Sequence, residues 1–118
     1  MKHKYRTYKN GITGHRYKRY YITAQGRKNY SVLDPQGMTV RTALPAFEDA
    51  EWEIDKVTAS PAELHVMREL YQEDISTLQG FLIKASEKNS DGTLTMEDVL
   101  FTELVTKIRT RKVENKDF

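Results

Sequence analysis

The sequence predicts an α+β fold: a small antiparallel sheet of three strands, or four, covered by one helix and followed by an antiparallel helical pair. Three observations carry this. Residues 16–41 hold short apolar and aromatic runs separated by turn-forming residues. Phe47 to Val57 repeats its apolar residues at helical spacing, and Ser60-Pro61-Ala62-Glu63 opens a second, longer helical pattern.

At the front, Asn10-Gly11 between Tyr8 and Ile12 fits a type I′ hairpin turn, which would make residues 4–9 a further strand. The next strand is expected to run from Arg16 through Ile22, with Tyr20 and Ile22 on one face and Tyr17, Arg19 and Tyr21 on the other. Ala24 to Lys28, containing Gly26, supplies a loop, and Asn29 to Leu33 the return strand. Asp34-Pro35-Gln36-Gly37 is a turn with a mechanism: Pro35 presets its φ, and Gly37 accepts the left-handed conformation. Met38 to Arg41 forms the third strand, and Pro45 ends it.

Phe47 opens a helix whose first turns are acidic, as the macrodipole favours. Phe47, Ala50, Ile54 and Val57 share a stripe assigned to the sheet, and Trp52, roughly opposite, is expected to lie under the C-terminal helices. Ser60, Pro61 and Glu63 compose a capping box for a helix running to about Ser86. Its stripe is Leu64, Met67, Leu70, Tyr71, Ile75, Leu78, Phe81, Leu82 and Ala85, with Asp74 inside it needing a partner and Gly80 a place for a break or kink. After Asn89-Ser90-Asp91-Gly92, Thr95 caps a last helix that buries Leu100, Phe101, Leu104, Val105 and Ile108. The expected organisation is one domain over 1–118: sheet plus helix at 1–57, helical pair at 60–110, and a charged, frayed tail at 111–118.

Charge is distributed unevenly. Residues 1–33 carry nine Lys/Arg (Lys2, Lys4, Arg6, Lys9, Arg16, Lys18, Arg19, Arg27, Lys28) and no Asp or Glu. Residues 34–106 carry fifteen carboxylates against five Lys/Arg, and Lys107, Arg109, Arg111 and Lys112 turn the end basic again. Six of the seven tyrosines (Tyr5, Tyr8, Tyr17, Tyr20, Tyr21, Tyr30) lie among the early cations. Lys and Arg neutralise phosphates, and a tyrosine on a sheet face stacks on an unpaired base.

Other functions lack their signatures. With no cysteine there is no disulfide or thiol chemistry, which fits a cytoplasmic protein. No stretch approaches a membrane span or a signal peptide. There is no phosphate-binding glycine loop, nucleophile elbow or histidine-rich metal spacing. His3 and His15 lie where cations are repelled, and His65 projects off its helix's apolar face. Glu48, Asp49, Glu51, Glu53 and Asp55 spread around their helix instead of converging. We expect no enzyme and no cofactor.

Residues 16–57 resemble the three-stranded, single-helix modules at the N-terminus of tyrosine recombinases and related mobile-element proteins. The resemblance is carried by the basic aromatic hairpin, the Asp34-Pro35-Gln36-Gly37 turn, and Phe47-Glu48-Asp49-Ala50-Glu51-Trp52 opening the helix. No recombinase catalytic domain follows, so it implies no activity.

Residues 87–98 resemble an EF-hand calcium loop, with Glu87, Asn89, Asp91 and Asp98 at ligand places and Gly92 at the sharp turn. Glu87 stands where that family prefers Asp, and Asp98 is shorter than the usual chelating Glu. The favoured reading is an inter-helix turn capped by Thr95.

The function expected is a small, non-enzymatic nucleic-acid-binding accessory or regulatory protein, with DNA or RNA as partner. Its site would be Arg16, Tyr17, Lys18, Arg19, Tyr21, Arg27 and Lys28. The alternative is a protein-interaction or oligomerisation module working through the acidic helices at residues 61–108, with the basic sheet only solubilising the protein.

Overall fold

The computed structural model describes residues 4–118; Lys2 and His3, counted among the early charges and histidines, lie outside the described residues. The chain divides between Ala59 and Ser60 into two compact units. The architecture is α+β, with five antiparallel strands and four helices among the described residues, more of each than the sequence predicts.

The first unit is a meander in sequence order: β1 (Arg6–Thr7), β2 (Thr13–Tyr17), β3 (Tyr20–Ala24), β4 (Tyr30–Leu33) and β5 (Thr39–Leu44), followed by α1 (Phe47–Thr58). The expected continuous strand from Arg16 to Ile22 is corrected, because the chain reverses at Lys18-Arg19. Both residues have positive φ (49° and 70°), and Tyr17 pairs directly with Tyr20, which defines a two-residue type I′ hairpin. Tyr17 and Tyr20 therefore share a face.

The turn at Asn10-Gly11 also differs from its expected type. Gly11 has φ 85° while Asn10 does not have positive φ, and Gly11 N–H bonds Tyr8 O at 2.9 Å, so this is a longer hairpin loop with glycine at its left-handed end. Asp34-Pro35-Gln36-Gly37 forms as expected: Gly37 N–H reaches Asp34 O at 2.9 Å, and Asp34 Oδ1 accepts from Gln36 and Met38 N–H. β5 is an edge strand blunted by register shifts opposite β4 and by Ala43 at φ 58°.

Cross-strand pairing fixes the faces. His15, Ile22 and Val32 align on one side, and Arg16, Tyr21 and Leu33 on the other. α1 covers the first side, where Ile22, Val32, Leu44, Phe47, Ala50 and Ile54 form the core with Tyr5, Tyr17, Tyr20 and Tyr30 packed around it. Val57, expected in that stripe, is exposed, and Trp52 is buried. α1 has no side-chain cap at Ala46 and ends where Ser60 precedes Pro61.

The second unit holds α2 (Pro61–Gln72), α3 (Ile75–Asp91) and α4 (Met96–Val113), three helices where two are expected. The capping box of Ser60 and Glu63 starts α2 as predicted. The long helix then breaks at Glu73-Asp74 instead of kinking at Gly80. Asp74 is the N-cap of α3, its Oδ1 accepting Thr77 N–H at 2.7 Å, so its partner is a helix start. Gly80 lies inside α3 with open space around it.

Gly92, at φ 74°, caps the end of α3 and Thr95 starts α4. α4 packs against both α2 and α3. Met67, Leu70, Leu78, Val105 and Ile108 are buried, whereas Leu100 and Phe101 are exposed, which corrects their expected burial. The tail expected to fray at 111–118 is held as well: α4 continues to Val113, Tyr71 OH bonds Lys116 O, and the Tyr71 and Phe118 rings meet edge to face.

Candidate nucleic-acid interface

The face of the sheet opposite α1 is shaped by a close approach of two strands. At Gly14 a Cβ would stand 2.7 Å from Ile22 O, so only glycine lets β2 approach β3 this closely. Beyond that point the β1–β2 loop packs back onto the sheet face. The Tyr8 and Tyr21 rings meet edge to face at 5.2 Å, Asn10 Nδ2 donates to Tyr21 OH at 3.2 Å, and Arg16 N–H donates to Tyr8 OH at 3.2 Å. Ile12 reaches across to Gly37, its Cδ1 3.1 Å from where a Cβ would be. Tyr21 is thereby left only 5% exposed.

Between this loop and β2 lies an open concavity of about 670 Å³, lined by Arg6, Thr7, Tyr8, Lys9, Asn10, Arg16 and Tyr21. Its three cations are exposed, and no carboxylate lines it. The Arg6 guanidinium stands over the Tyr8 ring at 5.2 Å and that of Arg16 over Tyr21 at 5.8 Å, so the rings hold the charged groups in place. Among the described residues, Arg6, Lys9 and Arg16 form no ion pair with a carboxylate, nor do Arg19, Arg27 and Lys28.

The seven residues singled out from sequence are not brought together. Arg16 and Tyr21 sit at the concavity. Tyr17 and Lys18 turn to the helix side, where Asp55 Oδ1 accepts from Tyr17 OH at 2.8 Å and from Lys18 Nζ at 2.6 Å. Arg19 stands exposed at the hairpin tip, and Arg27 and Lys28 are exposed in the β3–β4 loop, at the other end of β3. Sequence reasoning missed Arg6, Tyr8, Lys9 and Asn10. Their signal was the Asn10-Gly11 turn itself, which folds Tyr8 toward the strand that follows.

Among the described residues of this unit, no fully exposed aromatic ring offers the expected stacking surface. Its described aromatic residues are all buried or half-buried, and Tyr8 and Tyr21 use their hydroxyls within the fold. Tyr5, in the α1-side cluster, has its phenol pKa raised, first by burial and then by Tyr30. What the concavity offers is positive charge on a rigid aromatic frame.

No family model, curated protein or solved structure matches the chain. The resemblance to recombinase modules therefore rests on its residue pattern alone.

Residues 87–98 hold the favoured inter-helix turn, Gly92 to Thr95, between the end of α3 and the start of α4. Glu87, Asn89 and Asp91 lie on the last turns of α3, and Asp98 is the third residue of the α4 capping box. Asp98 Oδ2 accepts from Thr95 N–H at 3.0 Å and from Lys88 Nζ at 3.1 Å. Those bonds, the Thr95 N–H foremost, hold the Asp98 carboxyl below the ordinary range. A lysine thus occupies the place a cation would take. No cluster of three or more potential metal ligands occurs among the described residues, and no described helix is long and apolar enough to cross a membrane.

Proposed function

We propose that the first unit binds nucleic acid through its phosphate backbone, using Arg6, Lys9 and Arg16 around the concavity. The observation that carries this reading is the trio of exposed cations without carboxylate partners, two of them seated on tyrosine rings. Lys and Arg on such a surface release condensed counterions from a polyanion, and that release drives affinity. The tyrosines act as a frame for the guanidinium groups instead of as stacking platforms. Tyr17 and Lys18 belong to the fold, and Arg27 and Lys28 add long-range attraction from the far loop. The role is accessory or regulatory, without catalysis, and the absence of cysteine suits a cytoplasmic setting.

Electrophoretic mobility shift with random DNA and random RNA at two salt concentrations tests it. Binding on the order of micromolar at low salt that collapses at high salt is expected. No shift with either polymer at low salt would refute it.

A second reading, a protein-interaction module in the second unit, draws on Ile83, Met96, Leu100 and Phe101, which are exposed apolar side chains on α3 and α4. A self-associating chain whose dimer is lost in Leu100→Glu, seen by light scattering, would favour it. A monomer at all concentrations would remove self-association from consideration.

A further inference from the structure

The Lys18-Arg19 turn is held in a conformation its residues disfavour. Among the described residues it is the only place where two consecutive non-glycine residues have positive φ, in a turn type that asparagine and glycine fill most easily. Lys18 has a structural reason to be there, since its ammonium meets Asp55, which is 5% exposed. Arg19 has none. It is exposed, makes no ion pair, and carries the larger positive φ at the position glycine suits best. Backbone strain at an exposed residue that gives the turn no contact of its own points to a functional position.

The geometry supplies the function. Arg16 pairs with Tyr21, and the next pair, Tyr17 with Tyr20, closes the turn. Arg19 therefore stands about two strand residues beyond Arg16, roughly 7 Å along β2 at 3.3 Å per residue. A long side chain at each place reaches successive points on one polyanion.

Resting on the proposed function, we infer that Arg19 is a further phosphate-contacting residue, held at the tip of the β2–β3 hairpin by a strained turn that Lys18 and Asp55 lock to α1. The occupant is the same phosphodiester backbone that Arg6, Lys9 and Arg16 bind. Arg19 extends the contact line past the concavity.

The test is Arg19→Gly in the full chain, with Arg19→Lys as its control, read by thermal midpoint and by fluorescence anisotropy with a labelled random DNA duplex across a salt series. Arg19→Gly should raise the midpoint by about 4 °C, because glycine adopts this φ freely. The same variant should bind more weakly, with its log–log salt slope shallower by about 0.9. Arg19→Lys keeps the charge and the strain, and should hold the wild-type midpoint and slope. A wild-type slope in Arg19→Gly would overturn the contact, and an unraised midpoint would overturn the strain. Failure of the wild-type protein to bind at all would overturn the function proposed above, and the three results are distinguishable.

Discussion

The Lys18 ammonium lies 2.6 Å from Asp55 Oδ1, an oxygen that also accepts from the Tyr17 hydroxyl. Asp55 is buried on α1, so this one carboxylate fastens the tip of the β2–β3 hairpin to the helix covering the sheet. It also withdraws Lys18 from the positive surface. Asp55→Ala should destabilise the protein by about 1 kcal/mol, since it removes the acceptor of the half-buried Tyr17 hydroxyl, while the half-exposed Lys18 ammonium returns to water. The denaturant midpoint of the full chain reads this. A change below about 0.5 kcal/mol would show that the turn holds without Asp55.

The close approach at Gly14 makes a second prediction. A methyl group there would meet a backbone carbonyl at 2.7 Å, which cannot swing aside as a side-chain end does. Gly14→Ala should therefore destabilise by about 1–3 kcal/mol through overpacking. It should also expose Tyr21 by lifting the β1–β2 loop, seen as faster solvent quenching of tyrosine fluorescence. Gly80, which has open space around it, is the contrasting site: Gly80→Ala should stabilise α3 by up to about 1 kcal/mol.

These positions show what was legible in the sequence. Asp34-Pro35-Gln36-Gly37 and the Ser60 capping box were readable because their hydrogen bonds close within four residues, so local chemistry decides them. The Lys18-Arg19 turn was not, because neither residue favours positive φ and the group that holds it is 37 positions away. The α2–α3 break was hidden for a related reason. Apolar residues continue in register through Tyr71, Ile75 and Leu78, and only the capping chemistry of Asp74 interrupts them. At the site, the charge asymmetry was visible, but its division between the two faces required the hairpin register.

Helix caps give the second unit a defined acid response. Asp74 and Asp98 both have lowered carboxyl pKa values, owing first to the backbone N–H of Thr77 and of Thr95 respectively. A carboxylate with a depressed folded pKa stabilises fully above the unfolded value, near about 3.9, and the contribution fades as pH falls through the lower folded value. Helical circular dichroism should therefore decline below about pH 4, and less steeply in Asp74→Asn and Asp98→Asn. Identical acid profiles for wild type and variants would rule the caps out as its source. Ser60→Ala, lacking a titrating group, should lower stability by about 1 kcal/mol at every pH.

The account stands or falls on the trio around the concavity, and the salt dependence of binding to a random DNA duplex measures it most directly. With three phosphate contacts the log–log slope should be about −2.7, or about −3.6 with Arg19 as a fourth, and Arg6→Glu, Lys9→Glu or Arg16→Glu should each flatten it by about 0.9 or more. Lys18→Gln should leave the share of the slope owed to Arg6, Lys9 and Arg16 unchanged, because that ammonium is committed to Asp55. Binding that is indifferent to charge reversal at Arg6, Lys9 and Arg16 would contradict the account.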